Sequence, residues 1–313
     1  MKNPHVVIAG AGAMGSLFGG LLAEAGLAVS LYARRSDHIA AIRERGLLLV
    51  GVGGERRVAV HAAASVAEIA PADFVLFQCK ADATHEVAQA IAPLMHRGSV
   101  AVSFQNGLGN EEIIAAALGP DVVLGGLTSL GATREAPGVV RNYASLPTIV
   151  GELTGGLSAR ATAFASLMSA HGIPTTATAE IMTEKWRKLM LNVAMSATSG
   201  LTGLTIGEVA GLPALAAVAR RAIDEAAAVA EACGVALPPA TRYAVFDTIV
   251  TSGAARNKTS MRRDIEAARP TEVEAIYMSI VARGRATGIA TPTLEAFAAL
   301  ILGVEAAQAA ASA

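Results

Sequence analysis

The chain has 313 residues, enough for two domains and a large core, with a formal net charge of −1 and two cysteines. A charge so close to zero excludes an electrostatic case for nucleic acid or an anionic membrane. Cys79 and Cys233 lack metal or redox spacing and suit small core positions in a reducing cytoplasm. The mean hydropathy of +0.47 comes largely from alanine. The best membrane-span candidate, after Leu189, is broken by Asn192, Glu208 and Pro213, so a soluble chain is expected.

An apolar run at 6–9 leads into Gly10-x-Gly12-x-x-Gly15 and then a helix-compatible stretch. That is strand, tight turn, helix. Gly10 makes the turn, Gly12 lets backbone approach a pyrophosphate, and Gly15 lets the helix pack closely on the strand. The phosphates would rest on backbone N–H groups at the helix start, around Ala13 and Met14. A secretory signal is the competing reading, since Lys2 precedes the apolar run and Ala23, Glu24 and Ala25 mimic a cleavage site. The six glycines from Gly10 to Gly26 argue against it.

Short β-branched runs follow at 29–33, 57–62, 74–79, 99–104 and 122–126, with amphipathic segments between several of them. The alternation predicts βαβ units around a mostly parallel sheet. Turn signals at Ala136, Pro137, Gly138 and at Leu146, Pro147 predict a late antiparallel hairpin completing that sheet, and 171–178 is a candidate for one more strand. From about 178 the periodicity is helical almost throughout. The fold class expected is α/β: a Rossmann-type dinucleotide-binding domain over 1–177, then an all-helical substrate and catalytic domain over 178–313, with the active site in the cleft between them. The alanine-rich tail from Glu305 reads as a fraying helix end.

An acid about twenty residues past the first glycine would bind the ribose hydroxyls of NAD. Here the second strand runs into Arg34 and Arg35, with no acid before Asp37. An arginine grips a 2′-phosphate where a carboxylate repels it, so Arg34, with Arg35 beside it, predicts NADP. All six histidines lie within the first 171 residues without ligand spacing, so no metal site is expected. Lysine is scarce, which draws attention to Lys80, Lys185, Lys188 and Lys258. Lys188 and Asn192 share a helix face, with Ser196 one turn on and Lys185 close by. An ammonium there could polarise a carbonyl and protonate the alkoxide formed by hydride transfer. Spacing alone does not choose between the two lysines, nor exclude a solvated face. Ser260 could be a helix N-cap. Thr271-x-x-Glu274 reads as a capping box, which puts Glu272 in a first turn that favours acids anyway.

Six segments in register, GAGAMG, CKA (79–81), QNGLGN (105–110), WRKLMLN (186–192), SMRRDIEAARPTEVE (260–274) and GIATP (288–292), resemble the ketopantoate reductases, the 2-dehydropantoate 2-reductases. The resemblance covers nearly the whole chain. It implies NADPH-dependent reduction of a 2-oxo acid, with Lys188 as general acid and Asn192 and Ser260 as substrate contacts. Glu272 would contact the substrate oxygens, while Lys80 and Asn106 would face nicotinamide, ribose and substrate. The chain departs from the family where Ser196 and Ala197 stand for the usual Asn-Pro, where Tyr277 and Met278 replace Asn-Gly, and around Tyr143. The departures imply an altered pocket and a paralogue's substrate as an alternative to ketopantoate. The other readings are a β-hydroxyacid dehydrogenase, which leaves the 260–274 segment unexplained, and a non-catalytic NADPH-binding sensor for a protein partner. The partner expected is a small 2-oxo acid, with neither nucleic acid nor membrane. The helical half could also pair two copies as a homodimer.

Overall fold

The computed structural model describes residues 3–34, 36–144, 147–251 and 253–312; Lys2, Arg35 and Leu146 lie outside them. The chain forms two compact units, Met1–Gln105 with Asn110–Ile181, and Met182–Ala313 with Asn106–Gly109. The second unit therefore takes four residues from deep within the first half of the sequence.

Among the described residues twelve strands belong to the first unit: β1 (His5–Ala9), β2 (Ala28–Tyr32), β3 (Leu47–Gly51), β4 (Arg56–Val58), β5 (His61–Ala63), β6 (Ala72–Phe77), β7 (Met95–Ser103), β8 (Val123–Thr128), β9 (Gly131–Ala136), β10 (Val139–Ala144), β11 (Thr148–Gly151) and β12 (Thr175–Thr178). Eight form a sheet in the order β12-β11-β8-β7-β6-β1-β2-β5, parallel except where β11 runs against β8. The crossovers are α1 (Ala13–Glu24), α2 (Asp37–Arg45), α3 (Thr84–Ile91), α4 (Asn110–Leu118) and α5 (Ala159–Ala170). Both sheet faces are covered, so the strands read as continuous apolar runs rather than alternating ones. Val6, Ile8 and Leu76 pack with Leu17, Phe18 and Phe164 on one side, and Val7, Ala9 and Val75 with Ala88, Ile91 and Ile114 on the other.

The hairpin expected to complete this sheet exists as β9 and β10, but it belongs to a second sheet of order β4-β3-β10-β9. Register explains the placement: β10 pairs in parallel with β3, a strand the sequence reading passed over, and Val140 joins Leu47 and Leu49 in the α1 core. The run at 57–62 is likewise two strands in different sheets, β4 against β3 and β5 against β2. Cys79 is partly buried and Cys233 exposed, so Cys233 is not a core residue.

The second unit is helical: α6 (Ile181–Thr202, entered from the first unit), α7 (Ile206–Gly211), α8 (Pro213–Ala232), α9 (Pro239–Arg242), α10 (Ala244–Thr251), α11 (Ser260–Glu266), a π-helical turn (Glu274–Met278), α12 (Ser279–Thr287) and α13 (Pro292–Ser312). Trp186, Leu189, Met190, Val193, Ala194 and Ala197 recur at helical spacing on α6 and form one buried face against α8 and α13 residues such as Ile223, Ala226 and Ile301. Helix α13 runs to Ser312, so the alanine-rich tail from Glu305 is the end of the last helix. Residues Pro292–Ala311 are long and apolar enough, by length and composition, to cross a membrane; most of the hydropathy between Glu295 and Glu305 comes from Phe297, Leu300, Ile301, Leu302 and Val304.

Candidate active site

In the first unit, the glycine turn lies where β1 ends. Ala9 pairs with Tyr32, whose carbonyl accepts from the N–H groups of both Gly10 and Ala11 at 2.9 and 3.1 Å. Gly10 has φ +115°, and a Cβ there would enter the backbone of Gln78 and Cys79. A Cβ at Gly15 would strike the Gly10 carbonyl, whereas one at Gly12 would meet nothing within 4 Å. Thus two glycines close the turn and the third leaves its outer side open. Gly12 is also the N-cap of α1 and offers no side chain to the first helical N–H groups, those of Ala13, Met14 and Gly15. This donor set fits the pyrophosphate of a dinucleotide.

Arg34 is exposed two residues beyond β2, with no acidic side chain between it and the glycine turn's partner Tyr32. Lys80 follows β6, close to the turn through the Gln78 and Cys79 N–H groups, which both donate to Ala9 O. Gln105, which the sequence reading did not single out, organises this end of the sheet. Its Nε2 donates to Thr84 Oγ1 at 2.7 Å and to Cys79 O at 3.0 Å, and Thr84 donates on to Asn110. Burial pushes the Cys79 thiol up to about 12, which makes it inert.

In the second unit the decisive geometry is a three-residue line. Lys188 Nζ donates to Asn106 Oδ1 at 3.1 Å, and Asn106 Nδ2 donates to Glu272 Oε2 at 2.9 Å. The ends fix the amide's orientation, since an ammonium only donates and a carboxylate only accepts. The excursion that delivers Asn106 is held by the π-helical turn. Leu108 N–H donates to Ala275 O at 3.0 Å, and Gly107, at φ +80°, comes so close to Ala275 that no Cβ would fit. Burial is the main reason the Lys188 ammonium falls from 10.5 to about 8; Glu272 opposes the shift and Lys185 adds to it.

Asn192 is one turn beyond Lys188, and Ser196, 3 % exposed, one turn further. Among the described residues neither side chain makes a hydrogen bond within the protein. Each successive polar position on α6 rotates toward the apolar face, which is why Lys188 and Asn192 are partly buried while Ser196 is fully so. Lys185 is also buried, at 4 % exposure. Ser260 is exposed in the first turn of α11; Thr259, not Ser260, is the N-cap, and no described hydrogen bond joins Ser260 to the Lys188–Asn106–Glu272 line. The expected capping box is replaced by a tighter turn: Thr271 Oγ1 accepts from Val273 N–H, and Thr271 N–H donates to Glu305.

Two family models match in tandem: "Ketopantoate reductase PanE/ApbA" over residues 6–155, and its C-terminal partner over residues 180–305. The chain belongs to the ketopantoate reductase family. The 2-dehydropantoate 2-reductase of Halobacterium salinarum is 35 % identical, over 95 % of this chain and 97 % of that one. A PanE/ApbA family ketopantoate reductase from Ralstonia eutropha superposes with a TM-score of 0.89 at 30 % identity, covering 97 % of this chain and 99 % of its own. The ternary structure of D-mandelate dehydrogenase with NADH and anilino(oxo)acetate gives a TM-score of 0.92 at 25 % identity over the same shares. As a member of the ketopantoate reductase family the chain is an oxidoreductase acting on a CH–OH group, with the family's α/β domain followed by a helical one.

Proposed function

We propose that this chain reduces a 2-oxo acid to the 2-hydroxy acid with NADPH, and that the acid is 2-dehydropantoate, on the route to pantothenate. The observation that carries the reading is the hydrogen-bonded line from Lys188 through Asn106 to Glu272. When bound, the dihydronicotinamide supplies a hydride to C2 of the substrate. Lys188 hydrogen-bonds the carbonyl oxygen and gives it a proton as the alkoxide forms, leaving a neutral amine and a 2-hydroxy acid. A proton held at about 8 stays on the lysine at neutral pH yet leaves more readily than from an ordinary lysine. Asn106 bridges the ammonium to Glu272 and keeps it aimed. Asn192 and Ser196 supply polar groups not committed elsewhere for the acid's oxygens, with Ser260 a further contact. Gly10, Gly12, Ala13, Met14 and Gly15 carry the pyrophosphate, Arg34 the 2′-phosphate, and Lys80 and Asn106 the nicotinamide side.

The likeness to D-mandelate dehydrogenase supports a second reading, an aromatic 2-oxo acid reduced with NADH. One assay separates them: NADPH and NADH oxidation with 2-dehydropantoate, branched and linear 2-oxo acids, and phenylglyoxylate. The expected result is turnover of 2-dehydropantoate with NADPH preferred, the preference lost in Arg34→Asp. In Lys188→Ala, kcat should fall by about 10²–10⁴-fold. Turnover of phenylglyoxylate alone, with NADH, would establish the second reading. Turnover untouched by Lys188→Ala would remove Lys188 from the chemistry.

A further inference from the structure

Tyr277 is fully buried in the π-helical turn, and its hydroxyl is engaged with the backbone of α6 rather than with another side chain. Ala197 N–H donates to Tyr277 Oη at 2.8 Å, and the hydroxyl donates to Val193 O at 3.1 Å, with Asn192 O at 3.3 Å. In an undisturbed α-helix the Ala197 N–H donates directly to the Val193 carbonyl. The hydroxyl stands between that donor and that acceptor, lending one group to each. A side chain placed within the i→i−4 ladder is one of the few causes of a local opening in a helix. The ring is held by edge-on packing against Phe297 of α13, centroids 5.8 Å apart and planes at 76°.

The bridged segment is 192–197, which carries both Asn192 and Ser196, polar groups of α6 whose side chains have no described hydrogen-bond partner. The turn that supplies the hydroxyl also anchors Leu108 through Ala275, and it begins two residues after Glu272. We propose that Tyr277 is a positioning residue: its hydroxyl holds α6 open at Val193 and Ala197 and so sets where Asn192 and Ser196 meet the substrate acid. The inference rests on the proposed 2-oxo acid reductase reading.

The test uses Tyr277→Phe and the double variant Tyr277→Phe/Ala197→Pro. Without the hydroxyl the Ala197 N–H and Val193 carbonyl can pair directly, so the backbone loses no hydrogen bond and the melting temperature should hardly move. What should change is substrate recognition. The KM for the accepted 2-oxo acid should rise at least tenfold while the dissociation constant for NADPH and the alkaline pH limb set by Lys188 stay in place. Proline has no N–H and its ring pushes the i−4 carbonyl away, so the double variant reopens the ladder by other means. KM should return at least halfway to the wild-type value on a logarithmic scale. Should the proline variant not fold, NMR decides: a coupling through the hydrogen bond from Ala197 N to the Val193 carbonyl carbon should be absent in the wild type and appear in Tyr277→Phe, and its presence in the wild type would refute an opened ladder. An active wild type with KM unchanged in Tyr277→Phe overturns the inference and leaves the function standing. A folded double variant that recovers nothing also overturns it. A wild type that turns over no 2-oxo acid overturns the function and this inference with it.

Discussion

Lys188 shows how a single side chain is tuned by what surrounds it. Its ammonium is partly buried at one end of the Asn106 bridge, and desolvation outweighs the attraction of Glu272 to bring it to about 8. The charged form is the proton donor, so the rate of 2-oxo acid reduction should be flat at neutral pH and fall as pH rises through about 8. The neighbours give the sign of each variant. Lys185 repels the Lys188 charge, so Lys185→Met should move the alkaline limb to higher pH. Glu272 attracts it, so Glu272→Gln should move the limb to lower pH, besides any loss of substrate contact. A pH profile of kcat/KM for the three proteins checks this. Opposite displacement of either variant would mean that another group sets the limb. Helical spacing put Lys188 and Asn192 on one face, because a helix repeats every 3.6 residues, but it left Lys185 as an alternative that only the resemblance set aside. Asn106 was legible only through the resemblance, since no local pattern ties residue 106 to residue 188.

Among the elements, the π-helical turn organises the second unit, and helical periodicity could not reveal it. Residues 271–288 have the periodicity of one helix, whereas five of them are wound wider. One turn carries three duties: Ala275 O holds Leu108 N–H and accepts from Ser279 Oγ, Tyr277 reaches α6, and Glu272 lies just before it. π-Helical turns recur at functional sites because they displace side chains and carbonyls from their regular positions. The chain enters this turn through Ala268, the one non-glycine among the described residues with positive φ, at +48°. It closes α11 by donating to Ile265 O at 3.0 Å, the left-handed C-terminal position that glycine fills at lowest cost. Ala268 is exposed, so the substitution disturbs no packing. Ala268→Gly should stabilise the protein by up to about 1 kcal/mol, the relief of strain being partly offset by the greater freedom of unfolded glycine. A shift of the urea midpoint to higher concentration, at unchanged activity, is the expected result; a lower midpoint would show that the entropic term wins.

For the molecule as a whole, what the sequence disclosed follows the range of the interactions involved. The glycine turn, the parallel strands and the helical second half rest on local patterns, and the structure contains all three. The second sheet was not legible, because β-prone pieces flanking a turn say hairpin without naming the partner sheet, and β4 is only three residues long. His38 is the long-range tie that shows how such pieces are joined. It is 2 % exposed on α2; its Nδ1 accepts from Gly138 N–H in the β9–β10 turn at 2.9 Å, so Nε2 is the donor to Ser16 Oγ of α1 at 2.9 Å. Burial, aided by Arg134, holds the imidazole down at about 4 from its usual 6.5. Protonation would break the Gly138 bond and place a charge in the core, so the folded protein resists it while the unfolded chain accepts it. Stability contributed by neutral His38 is therefore complete above about pH 6.5 and is lost as pH falls from there toward 4. The shift corresponds to about 3 kcal/mol at most, since each unit is worth about 1.4 kcal/mol. Wild-type urea midpoints should decline over this range, and His38→Gln, which has no proton to gain, should be less stable at pH 7 but decline less. Parallel acid limbs in the two proteins would mean that other groups control acid unfolding.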